Sequence, residues 1–337
     1  MRFANDTPLP AAIFPSSESR DRIRAVVIAA ITYRIREQRL SLVAAQRPLA
    51  LASGPIPNDR MVNKAGASVC ATGFVYAPGG EARRGQATLA VGEREATVEA
   101  FGPRVWQKGL GGDLTPSAPL PFQRVAMTWK NAFGGSVMVP SSRHSVDGED
   151  AILPEHPEAH PLNFDGTGFY TTEEQAHHRP LPPLEHPEQL IERWGDRPEP
   201  VSFAPYPVHG GLRAKFVLGE GATIDPSRVG WLASRAAPRT TFTAIPEGTP
   251  IALEGMRPRG AALAFTVPPP PVRFAMSVGE AESTITPSLD AVDIDAEAAE
   301  VRFCYRADVV FDLVKFELRR LSVVPSPHFP GGVAKNP

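Results

Sequence analysis

The chain has 337 residues, enough for one large domain or two ordinary ones, and its 42% apolar and 21% charged residues exclude a disordered chain or a coiled coil. Its 37 prolines, about 11% against the usual ~5%, exclude long helices, because proline lacks the amide proton and fixes φ. With 35 Lys and Arg against 37 Asp and Glu the net charge is -2, which offers no electrostatic footprint for nucleic acid or an anionic membrane.

The first strong element is the stretch 22–36. Ile23, Val27, Ile31 and Ile35 share one parity, and the apolar run 25–31 between Arg24 and Arg34 is far short of the ~20 residues of a membrane span, so it predicts a buried strand. Residues 85–101 predict a hairpin with one wet face: Ala87, Leu89 and Val91 alternate with polar or small residues, Gly92, Glu93 and Arg94 make the turn, and Ala96, Val98 and Ala100 resume. Further period-2 runs are Val125, Met127, Trp129; Val272, Phe274, Met276, Val278; Val301, Phe303, Tyr305; and Val314, Phe316, Leu318. Helical candidates are limited to 173–178 and 187–194, both hemmed by proline. The tract Pro268, Pro269, Pro270, Pro271 predicts a short polyproline II link between two strands. No repeat with a period of ~20 to 50 residues is visible, which excludes a propeller or solenoid.

The stretch 141–207 differs in kind, being rich in Pro, His and acidic residues and poor in alternating runs. It predicts a long connector or ordered surface loop, a place where function concentrates. The expected architecture is mainly β, with two packed β-rich halves, sandwich or open-barrel-like, at 1–140 and 208–325, the connector between them, a tail at 326–337 and little helix.

Two cysteines, Cys70 and Cys304, cannot build a disulfide framework or a four-thiolate zinc site, and both read as small strand residues in a reducing compartment. Residues 1–10 lack the basic start and apolar stretch of a secretory signal, so the expected location is cytoplasmic. Six of eight histidines fall at 144–186, interleaved with Asp147, Glu149, Asp150, Glu155, Glu158 and Glu185. One reading is a metal-dependent hydrolase with His156, His160, His177 or His178 as ligands and Glu155 or Glu158 as base. The other is a set of solvated loop histidines, since Pro157 and Pro161 keep His156 and His160 off a common helical face. Ser136 in Gly134, Gly135, Ser136, Val137, Met138 lacks the final glycine of a nucleophile elbow and reads as a turn residue. There is no phosphate loop, and Gly166, Thr167, Gly168 is not completed to a dinucleotide fingerprint, so nucleotide binding is not supported. Asp293, Asp295 and Glu297 read either as a calcium site or as a solvated strand edge, followed by a hairpin turn at 296–299.

The non-periodic blocks carry a resemblance. They run from Lys64, Ala65, Gly66, Ala67 and the turn Ala77, Pro78, Gly79, Gly80 through Phe101, Gly102, Pro103, Arg104, Val105, Trp106 to Leu120, Pro121, Phe122 and Trp129. Then come Ala132, Phe133, Gly134, Gly135; His160, Pro161, Leu162, Asn163; Gly166, Thr167, Gly168, Phe169; and Leu181, Pro182, Pro183, Leu184, Glu185. The later blocks are Arg235, Ala236, Ala237, Pro238; Leu253, Glu254, Gly255, Met256; Leu289 with Asp290, Asp293 and Asp295; and Tyr305, Arg306, Ala307. Together they resemble the bacterial family catalogued as domain of unknown function 2169, whose members are encoded with type VI secretion systems. The resemblance implies a non-enzymatic cytoplasmic adaptor or chaperone without cofactor, which holds a type VI effector toxin and helps load it, often through a proline-alanine-alanine-arginine (PAAR) type spike-tip protein. For its partner-binding face the expectation is Arg104, Trp106 and Phe133 together with the connector, because Arg and Trp are enriched at binding hot spots.

Overall fold

In the computed structural model the protein is mainly β, with several sheets, no closed barrel among the described residues, and helix limited to the single α-turn Glu173–Ala176 and short 3-10 turns. The structure describes residues 2–17, 22–51, 59–60, 64–109, 111–146, 149–207, 234–312 and 318–330. No helix among them is long and apolar enough to cross a membrane.

The largest sheet has seven strands built around Arg22–Arg36 and Glu300–Asp312. These pair antiparallel from Glu300 opposite Arg34 to Asp312 opposite Arg22. Residues 25–33 are buried on both faces, as the continuous apolar run requires. Arg22–Arg36 turns into Arg39–Leu42 through Glu37 and Gln38, both at positive φ (48° and 64°), as a two-residue turn of this hand demands. Beyond Glu300–Asp312 lie Ser288–Asp295, then Ala67–Thr72, parallel to it, then Thr241–Phe242. A five-stranded sheet orders Leu184–Glu185, Arg94–Phe101, Arg84–Val91, Pro250–Glu254 and Leu263–Thr266, and a four-stranded one Arg2–Asn5, Leu318–Pro325, Val272–Val278 and Ala281–Ile285. Strands from 1–140 and from 208–325 thus lie side by side in the same sheets.

Alternation sets the core. Ala29, Ile31, Phe303, Tyr305, Val292 and Ile294 project from one face of the seven-stranded sheet into a cluster with Leu89, Val98, Leu253 and Phe265 of the five-stranded sheet and Phe274 and Val323 of the four-stranded one. The hairpin Arg84–Val91 to Arg94–Phe101 forms as its pattern predicts. Residues 268–271 join Leu263–Thr266 to Val272–Val278, and both cysteines lie buried in strands without forming a disulfide.

Several expectations are corrected. The run through Val125, Met127 and Trp129 is a strand only at Arg124–Ala126, followed by a 3-10 turn at Trp129–Asn131 that buries Trp129. Residues 187–194 form turns rather than helix; Glu185 Oε2 accepts from the Ile191 amide at 2.9 Å and folds the segment back. Ser136 opens the short strand Ser136–Val139. Parts of the connector are interior: His160, Asn163, Phe169, Leu181, His186, Phe203 and Tyr206 are buried. The run at Val314 and Phe316 lies outside the described residues.

Candidate functional site

Three of the sequence blocks interlock beside the main core. Gly134 and Gly135 take φ of 145° and 121°, which lets the chain reverse tightly. Gly135 N–H then donates to Asn163 O at 2.8 Å, His160 N–H to Gly135 O at 2.9 Å, and Phe169 N–H to Gly134 O at 2.9 Å. Asn163, fully enclosed, donates from Nδ2 to Trp129 O at 2.7 Å and Phe133 O at 3.0 Å. A Cβ on Gly134 would overlap the Asn163 carbonyl, so the glycine is required by the approach itself. This is backbone-to-backbone architecture.

Arg104, Trp106 and Phe133, the residues the sequence nominates for docking, are interior. Arg104 pairs with Glu185, whose side chain is wholly buried, donates to Pro182 O at 2.9 Å, and lies 4.0 Å from the Phe101 ring centre. Burial pushes the Glu185 carboxyl up, while Arg104 and the Ile191 amide pull it back. Trp106 packs edge-on to Trp194 at 5.6 Å, and Phe133 meets His160 at 5.0 Å. Alternation explains the placement: Arg104 and Trp106 point in, and Val105 between them points out.

The histidines are dispersed. His160 is caged by Phe133 and Phe169, and burial together with Arg197 lowers its pKa to about 4. His186 is buried and accepts the Glu188 amide at Nδ1, 3.1 Å away. His177 and His178 stack on each other at 3.8 Å, while His156, Glu155 and Glu158 are exposed. The His144 side chain lies outside the described residues. Among the described residues no three His, Cys, Asp or Glu side chains converge on a point that would hold a metal.

The second face of the seven-stranded sheet was not anticipated. Positions 300, 302, 304, 306 and 308 lie opposite the apolar parity, and there the segment 288–295 is an inner strand, not a solvated edge. A bulge between Leu289 and Ala291 turns Asp290 onto the same face. Ion pairs run along it. Arg47 bridges Asp295 (2.9 Å) and Glu300 (2.7 Å), and Arg34 also holds Glu300 (2.8 Å). Asp59 takes Arg302 at 2.6 Å and Arg235 at 2.9 Å, and Asp293 takes Arg302 at 3.1 Å. Asp290 holds Arg306 at 2.8 Å and Lys64 at 3.1 Å. The acidic run Asp290, Asp293, Asp295 is therefore neutralised by guanidinium and ammonium groups, which leaves no calcium loop there. The hairpin turn at 296–299 does form.

A family model described as an uncharacterized protein conserved in bacteria (DUF2169) matches residues 20–306. The chain belongs to this family. No curated protein and no solved structure matches it.

In this DUF2169 chain the row of ion pairs ends at a cavity of about 490 Å³, where the blocks around Lys64, Asp290 and Arg306 meet. Its walls include Ile245, Pro268, Pro270 and Leu289, with Glu247 and Asp308 as further carboxylates. Tyr305 Oη donates to Pro268 O at 3.3 Å, and Lys64 Nζ is occupied by Asp290 and Ser68 Oγ, the latter at 3.1 Å. Burial raises the Asp308 pKa, against Arg306 and Arg24, the latter 3.6 Å away. The lining among the described residues has no histidine or cysteine, and Ser288 Oγ donates to the Arg306 carbonyl at 3.4 Å. Among the described lining residues no nucleophile sits with a base beside it. Sequence reasoning missed Asp59, Arg235 and Arg302. For Arg302 and Asp293 the alternation itself was a signal, whereas Asp59 sits in a stretch with none.

Proposed function

We propose that this DUF2169 protein is a non-catalytic cytoplasmic adaptor that binds a type VI secretion effector, a spike-tip protein of the PAAR type, or both, and holds the effector for loading. The observation that carries this reading is the fate of the buried charges. Asp59, Asp290, Asp293 and Glu185 each sit against an arginine or lysine, so the groups that a catalytic centre would keep available are bound up in the fold. The resemblance of the Lys64, Phe133, Asn163 and Arg235 blocks supplies the biological context. An adaptor works through surface complementarity, which needs a rigid frame and few ionisable groups in special states.

The test is co-purification from the native host. A tagged protein is expected to recover the spike-tip protein or the toxin encoded beside it. Recovery of neither, under conditions where both are expressed, contradicts the reading.

A further inference from the structure

We propose that the outer side of the segments 103–108, 114–121 and 177–181 is a docking surface for an acidic, extended segment of the partner protein, anchored by an apolar side chain. This deepens the adaptor reading and rests on it.

The three segments lie alongside one another. Ser117 N–H donates to Val105 O at 2.9 Å, Val105 N–H to Ser117 Oγ at 3.0 Å, and Leu120 N–H to Pro103 O at 3.1 Å. On the other flank Trp106 N–H donates to Arg179 O at 3.0 Å, His178 N–H to Trp106 O at 2.9 Å, and Leu181 N–H to Arg104 O at 3.0 Å. The buried Arg104–Glu185 pair and Trp106 fix the inner side, so the outer side is presented on a rigid base. There Leu120 is 58% exposed, more than any other large apolar side chain among the described residues, and Val105 is 37% exposed. Exposed Pro103, Ala118 and Pro180 surround them.

Charge selects the occupant. The three segments contain no Asp or Glu. Their rim carries Lys108 and Arg179, and Arg83 is fixed beside Leu120 by its Nη1 bond to Pro119 O at 2.9 Å. None of these three cations has an ion-pair partner among the described residues, in a protein whose net charge is -2 and whose inner arginines are matched to carboxylates. An apolar centre within an unmatched basic rim is the complement of a segment carrying Leu, Ile or Phe between Asp and Glu residues. Neutral apolar segments would leave the cations desolvated, and basic ones would be repelled.

The experiment uses the full-length protein and a peptide array tiling the toxin and the spike-tip protein encoded beside it. The expected hits are acidic peptides with an embedded apolar residue, bound less as salt rises. The triple variant Arg83→Glu, Lys108→Glu, Arg179→Glu is expected to lose about tenfold or more in affinity for the strongest array peptide, as is Leu120→Ser, with unfolding midpoints unchanged for both. The proposal is overturned by hits that are basic or neutral, by full binding by both variants, or by no hits while the whole partner is still recovered by both variants. In that last case the adaptor reading stands and docking lies elsewhere; if the wild-type protein recovers no partner, the adaptor reading fails first. Equal retention of a mixed-sequence single-stranded oligonucleotide also overturns it.

Discussion

Asp59 Oδ2 accepts a hydrogen bond from Arg302 Nη2 at 2.6 Å across 243 residues of chain, and Asp59 Oδ1 accepts one from Arg235 at 2.9 Å. The carboxylate is enclosed against the ionic face of the seven-stranded sheet.

Removing that charge leaves two buried guanidinium groups to share the single carboxylate of Asp293. Asp59→Asn is expected to cost about 3–5 kcal/mol, the usual penalty for leaving a buried charge uncompensated. Urea unfolding would show a lower midpoint with an unchanged slope. Burial raises the Asp59 pKa, but the charge and hydrogen bond of Arg302, the charge of Arg235 and the Ala50 amide outweigh it, and the net shift is below 3.8. Its stabilisation is therefore present above that value and lost as pH falls through the lower folded pKa, so the Asn variant should show a flatter acid limb.

How much of this was legible depends on distance in the chain. The alternation of Val301, Phe303 and Tyr305 marked the core face directly. On the opposite parity Asp293 and Asp295 read as a calcium site or a solvated strand edge, because charged strand residues ordinarily face water, and Arg302 and Arg306 were not matched to them. The burial of that face depends on Asp59, Arg235 and Lys64, whose meeting has no local signature. The connector read as surface for the same reason: His160 and Asn163 are polar, and their burial follows from the close approach at Gly134, Gly135 and Gly166. Local residue types left open which parity of 104–106 faces inward, and in the fold Arg104 and Trp106 turn in while Val105 turns out.

His160 should make stability depend on pH. Burial, with Arg197, lowers its pKa from 6.5 to about 4. The unfolded chain then takes the proton first, so stability is full above pH 6.5 and falls by up to about 3 kcal/mol as pH drops towards 4. His160→Phe, which keeps a ring between Phe133 and Phe169, is expected to remove this dependence in denaturant titrations at several pH values.

Arg104→Ala and Trp106→Ala should act on the fold. The first leaves Glu185 buried without its partner, at about 3–5 kcal/mol. The second opens a cavity beside Trp194, at about 3–5 kcal/mol. Both should show a lowered melting temperature; an unchanged one would contradict their interior placement.

Asn163→Asp turns two hydrogen-bond donors towards Trp129 O and Phe133 O into a carboxylate facing carbonyl oxygens. The expected loss is about 2–4 kcal/mol, since a buried unsatisfied charge adds to the lost bonds. Gly134→Ala should be at least as damaging, because its Cβ overlaps the Asn163 carbonyl at a φ of 145°. Hydrogen exchange across 132–135 and 160–169 would report the loosening.

Effector secretion is the most direct measurement of the central claim. In the native host, deleting the gene should remove the neighbouring toxin from the culture supernatant while the secretion tube protein is still released, and the wild-type gene should restore it. Unchanged toxin release from the deletion strain would contradict the adaptor account.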